Sequence, residues 1–184
     1  MMELVPELMK NLKQTNGGHI FYPYGNVESY LSNAISFIVT AVKNGDHVMF
    51  VENDRNLLHI NKMLKKQLSH DELAKVHIMN NFDFYYSNGN FHPHTVLNYF
   101  LTNIAPYHEA GASICTWGLI EWGNDQEIHN EIAEYKSKLN QYILHNGVIS
   151  VCAYDARRTP ESLKKLLMEC HGVLLTDKEF RFLE

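Results

Sequence analysis

HNGVISVCAYDARRTPESLKKLLMECHG, residues 145–172, is the stretch whose reading decides the fold. Val148 to Tyr154 is apolar almost throughout and rich in β-formers, the pattern of a strand covered on both faces in a parallel sheet. A half-exposed strand would alternate instead. The strand ends on Asp155, with Arg157 and Arg158 just beyond. In Thr159-Pro160-Glu161 the Thr suits a helix cap, the Pro a first turn and the Glu the positive end of the helix dipole. The helix that follows carries Leu163, Leu166, Leu167 and Cys170 on one face and stops at Gly172. Tyr154, Asp155, Arg157 and Arg158 are therefore predicted outside the carboxyl end of a central strand, the edge where open α/β sheets bind ligands.

Outward from that anchor, the chain reads as alternating strands and helices. Residues 2–14 form a short amphipathic helix with Leu4, Val5, Leu8 and Leu12. It either packs across the sheet or pairs with a second copy or a partner helix. His19 to Tyr24 is a first strand, and a helix from about Val27 to Lys43 follows the Gly25-Asn26 turn. That turn, Tyr22-Pro-Tyr-Gly-Asn-Val-Glu-Ser29, is where a nucleotide-binding fold carries its phosphate loop. It has one glycine and no lysine, so the GxxxxGK[ST] mechanism is absent, and Glu28 would repel phosphate. ATP hydrolysis is not expected.

His47 to Glu52 is a second strand, and Asn53 and Asp54 cap a helix with Leu57, Ile60, Leu64 and Leu68 inward. Val76 to Met79 is a third strand, and residues 80–92 are expected to be a loop or flap. His92-Pro93 starts a helix whose end is expected at Pro106. Ala112 to Trp117 is a fourth strand, with Gly118 to Gly123 as a loop. Asn124 and Glu127 start the longest helix, with Ile128, Ile132, Tyr135, Leu139 and Ile143 as its stripe. Val173–Leu175 and Phe180–Phe182 flank a turn and suggest a terminal hairpin. The fold class is α/β, three-layered, with a mostly parallel sheet flanked by helices.

The totals agree. At 184 residues one domain spanning the chain buries roughly 70% of its unfolded surface without a staple. A net charge of −5 argues against direct nucleic-acid binding. No apolar run reaches the length of a membrane span and no signal-peptide pattern opens the chain, so the expected location is cytoplasmic. Cys115, Cys152 and Cys170 lack CxxC spacing and read as reduced thiols.

The motifs also resemble a known family. Gly18-His19-Ile followed by Tyr24, a long helix and Asn44-Gly-Asp-His47 is similar to the opening of MEDS domains, the methanogen/methylotroph DcmR sensory domains. Leu139-Asn140, Cys152-Ala-Tyr154-Asp155 and Cys170-His171-Gly-Val173 are similar to that family's later signatures. Lys136 stands where members often carry Glu, and Gly172 where they carry Pro. The resemblance implies a RecA/KaiC-like domain without its phosphate loop, acting as a non-catalytic sensor of a small organic, even hydrocarbon-like, ligand and signalling to a separate regulatory protein. No cofactor is implied.

The candidate ligand-binding residues are His19, Tyr24, Trp117, Trp122, Tyr154, Asp155, Arg157 and His171, with Tyr24 and the two tryptophans lining a cleft at the carboxyl edge. Asp155 either orients His171 or caps its own turn, and His171 at a helix end suits a cation that gains from the dipole. The alternative function is a small hydrolase or transferase using Asp155 and His171. For a metal, His92-x-His94 has no third ligand at a recognised spacing, and HExxH is absent.

Overall fold

A computed structural model of the chain describes residues 3–86, 93–121 and 128–183. Strands β1 (Gly18–Tyr24), β2 (His47–Glu52), β3 (Val76–Asn80), β4 (Ile114–Leu119), β5 (Ile149–Asp155), β6 (Val173–Leu175) and β7 (Phe180–Phe182) form one sheet. Its order is β3-β2-β4-β5-β1-β6-β7. Every neighbouring pair is parallel except β6 with β7, the terminal hairpin.

Period-two alternation sorts the strand residues between two cores. Ile20, Tyr22, Phe50, Trp117, Val151 and Ala153 face helices α1 (Leu4–Gln14), α2 (Val27–Lys43) and α3 (Asp54–Gln67), the last trailed by the single turn α4 (His70–Leu73). Phe21, Val51, Cys152 and Tyr154 face α5 (Asn81–Tyr85), α6 (Pro93–Glu109), α7 (Ile128–Asn146) and α8 (Glu161–Cys170). With helices on both faces, the central strands are apolar on both, the condition read from β5 in the sequence. Val5, Leu8, Met9 and Leu12 of α1 are all buried within the chain, each worth roughly 2 kcal/mol of apolar transfer before chain entropy is subtracted.

Four boundaries differ from expectation. Residues 81–85 are helical where a loop was expected, because the Asn80 side chain accepts from the Asp83 amide and Phe84 and Tyr85 find a core to enter. Residues 87–92 of that expected flap lie outside the described residues. Pro106 lies inside α6 rather than at its end. Its ring removes one amide bond, yet Ala110 N–H still bonds the Pro106 carbonyl and Tyr107 is held by His77 at 3.0 Å. Strand β4 runs two residues further than expected, through Gly118, where an added Cβ would collide with the Tyr85 hydroxyl. Thr159 does not cap α8, since its hydroxyl donates to the Asp155 carbonyl at 2.7 Å.

Candidate functional site

Three carboxylates gather at the carboxyl edge of the sheet. Glu52 ends β2, Glu121 follows β4 and Asp155 ends β5. Glu52 is fully buried and accepts from the Tyr30 hydroxyl, the Asn53 amide at 3.1 Å and the Asn56 side chain at 3.0 Å. Burial outweighs those donors and pushes its carboxyl up to about 7. Glu121 accepts from Asn53 at 3.1 Å and Asn81 at 2.8 Å. Tyr24 is raised to about 12 by burial first, then by the charges of Asp155, Glu121 and Glu52. Arg157 and Arg158 share this edge, with Arg157 paired to Asp155, so the carboxylates are only partly offset and the edge is a weaker seat for a polyphosphate than a lysine-bearing loop.

The turn between β1 and α2 is filled from within the chain. Asp177, in the turn of the terminal hairpin, accepts from the Gly25 and Asn26 amides at 3.0 Å each and from the Tyr22 hydroxyl at 2.7 Å. Backbone amides opening a helix form an anion seat, and here a carboxylate of the same chain occupies it.

A second polar cluster lies on the other face of the sheet, under α7 and α8. Lys136 of α7 is 1% exposed and donates to Cys152 Sγ at 3.0 Å; it makes no ion pair among the described residues. Its ammonium also stands 5.1 Å from the Tyr135 ring and 5.8 Å from that of Tyr154. His19 Nε2 lies 3.3 Å from Cys152 Sγ, and the His19 and His171 rings are 3.9 Å apart. His171 Nδ1 donates to the Leu167 carbonyl at 2.6 Å, which leaves Nε2 as the free position, without a hydrogen-bond partner. Burial first, then Lys136, holds His171 down at about 3. His19 is lowered by burial first, then by His171 and Lys136. Both rings are thus neutral at pH 7, so His171 closes its helix as a neutral donor rather than as the expected cation.

Beside this cluster lies a small pocket of about 20 Å³, bounded by Met49, Val51, Phe84, Phe100 and Leu139, with Lys136 and Cys152 also in its lining. Thr116 and Ser150 also line it, and they spend a hydrogen bond on each other at 2.6 Å. A pocket at the carboxyl edge, between Glu121, Asp155 and Arg158, measures about 10 Å³.

The eight residues singled out from sequence divide between these places. His19, Tyr154 and His171 meet under α7 and α8. Tyr24, Asp155 and Arg157 stand at the carboxyl edge, with the Arg157 guanidinium on its own neighbour Asp155 at 3.4 Å. Trp117 is among the residues lining the small pocket rather than a cleft at the carboxyl edge, and its side chain belongs to the core on the α2 side, fully buried, with its indole N–H on the Tyr30 hydroxyl at 3.0 Å. Trp122 lies outside the described residues. Asp155 and His171 do not meet. Asp155 pairs with Tyr24 at one end of β1 and the Gly172 amide with His19 at the other, about 16 Å along the strand. The joint use of these two residues in a hydrolase or transferase therefore has no geometric basis, and Asp155 caps its own turn through the Arg157 amide. The sequence reading missed Glu52, Lys136 and Asp177.

Sheet order and helices on both faces define the class: an α/β domain with a RecA-like fold, without a GxxxxGK[ST] sequence at its β1–α2 turn. Solved structures agree on the fold. The chain is similar to a solved ATPase domain, at 10% identity and a TM-score of 0.56, over 88% of this chain and 69% of that one. It is also similar to a DnaB-like replicative helicase solved with its interactions with primase, at 10% identity and a TM-score of 0.54. That match covers 88% of this chain and 47% of the helicase. Comparison with curated protein sequences gives no match. The chain belongs to the MEDS family, the methanogen/methylotroph, DcmR sensory domains, which it matches over residues 18–172. It is a sensory domain.

Proposed function

We propose that this domain senses a compact organic molecule, without turning it over, in the pocket between the sheet and α5, α6 and α7. The observation that carries the reading is Lys136, an ammonium with no ion pair among the described residues, in the lining of a mostly apolar hole where Thr116 and Ser150 are bonded to each other. Mostly apolar walls with a buried ammonium among them suit a small molecule carrying an oxygen or similar acceptor. At about 20 Å³ the pocket takes one or two heavy atoms as it stands, and slightly more if Phe100 or Leu139 changes rotamer. Nucleotide is disfavoured on two grounds: Asp177 fills the anion seat, and three carboxylates line the edge beyond it.

Signalling requires the ligand to bind two conformations unequally. α5 is the element best placed to respond, since it contributes both Phe84 and Tyr85 to the pocket and is a single short turn of helix. The output passes to a separate regulatory protein or to a second copy of the chain. Among the described residues no helix is long and apolar enough to cross a membrane, and the proposed setting is the cytoplasm.

The test is a thermal-shift series with primary alcohols from methanol to hexanol. Stabilisation should peak at the short members and vanish in Lys136→Met. A response that rises steadily with chain length, or that survives Lys136→Met, would count against this pocket.

A further inference from the structure

We infer that His19, Cys152 and His171 form a three-coordinate site for a soft monovalent metal ion, Cu(I). This goes beyond the sensing of an organic molecule: the site shares Cys152 with that pocket but rests on His19 and His171, which do not line it. The three residues come from the start of β1, the middle of β5 and the end of α8, and all are more than nine-tenths buried. Their donor atoms lie within 4.8 Å of one another. His19 Nε2 and Cys152 Sγ, at 3.3 Å, are already near the roughly 3.5 Å that two ligands of one ion keep. His171 supplies the second observation. Its Nδ1–H is tied to a backbone carbonyl while Nε2 lies buried with no hydrogen-bond partner, the arrangement by which an outer carbonyl fixes the tautomer of a metal-bound imidazole.

The choice of ion follows from charge and softness. Two imidazoles and one thiolate suit Cu(I) or zinc. Cu(I) with one thiolate is neutral, whereas zinc with one thiolate leaves a positive charge in a buried site beside the Lys136 ammonium. Lys136, which donates to the sulfur at 3.0 Å, remains an outer hydrogen-bond donor to the bound thiolate. Zinc would also want a fourth ligand, and three donors satisfy Cu(I). Binding requires the two imidazoles, now 3.9 Å apart at their centroids, to turn so that both nitrogens point at one ion. His19, Cys152 and His171 lie in three separate signatures of the sequence, and because 133 residues separate His19 from Cys152 no local metal-ligand spacing announces the site.

The experiment is anaerobic titration of the metal-free chain with Cu(I) against a chromophoric chelator, with zinc titrated in parallel. One equivalent of Cu(I) should be retained, and X-ray absorption should show one sulfur and two nitrogen neighbours. Cys152→Ser should weaken retention at least about 100-fold, beyond what loss of an outer-shell partner costs. His171→Gln should weaken it as well, and Cys115→Ser and Cys170→Ser should leave it unchanged. Circular dichroism of each variant separates ligand loss from unfolding. Retention that survives Cys152→Ser, that depends on Cys170, or that favours zinc over Cu(I) would overturn the assignment. The alcohol series on metal-free protein reads the organic pocket alone, so the two proposals fail separately.

Discussion

Replacing Glu52 by Gln should abolish a specific part of the protein's pH-dependent stability. The Glu52 carboxyl is buried at the end of β2, and desolvation lifts it from 4.5 in the unfolded chain to about 7 in the folded one. Between those values the folded state keeps a proton that the unfolded state has released. Stability is therefore full below pH 4.5, falls as pH rises through the window, and levels off above about 7. At 1.36 kcal/mol per pH unit that displacement comes to about 3 kcal/mol, a large share of a typical folding free energy. The three donors on Glu52, from Tyr30, Asn53 and Asn56, all oppose the rise. Glutamine keeps the shape and an acceptor oxygen but cannot ionise. Urea unfolding of both proteins from pH 5 to pH 8.5 is the assay, read as the difference between the two curves so that titrating histidines cancel. Relative to wild type, the variant should gain roughly 3 kcal/mol across that range. A constant difference at every pH would refute a raised Glu52 and mean that water reaches the carboxylate.

Other perturbations follow from the same geometry. Asp177→Ala strips the anion seat at the β1–α2 turn of its carboxylate and should cost about 2 kcal/mol, partly restored by millimolar sulfate in thermal melts. Lys136→Met replaces a buried charge by a side chain of similar length. It should leave stability unchanged or raise it by about 1 kcal/mol by chemical denaturation, because no ion pair among the described residues is broken. Trp117→Phe removes the indole donor to Tyr30 and leaves a void among Phe37, Phe50 and Tyr22. It should cost about 2 to 3 kcal/mol by chemical denaturation, as loss of a core pillar would.

Much of the fold could be read from the chain because periodicity and burial point the same way. The apolar run through β5, the 3.6-residue stripe of α2 and the breaks at Gly45 and Gly147 locate strand–helix units, and their alternation implies parallel strands. What resisted reading was side-chain destiny. Trp117 at a strand end looks like a wall of a carboxyl-edge cleft, yet the alternation within β4 puts it on the α2 face beside Tyr30. Lys136 was visible in principle: it lies four residues after Ile132 and three before Leu139, inside the buried stripe, but a lysine there reads as solvated by default. Glu52 looked like the polar end of a strand, and only the Tyr30, Asn53 and Asn56 donors show how it can be buried. Asp177 reaches the β1–α2 turn from more than 150 residues away in sequence, a contact no local pattern encodes. The His19–His171 meeting depends likewise on β1 lying between β5 and β6.

The most direct test of a sensory pocket lined by Lys136 is a methyl-resolved NMR titration with the short alcohol that stabilises the protein most. Shifts should concentrate on the methyls of Met49, Val51 and Leu139, which bound the pocket, and disappear in Lys136→Met. Shifts confined to residues around Tyr24, Glu121 and Asp155 would contradict the account and move the ligand to the carboxyl edge of the sheet.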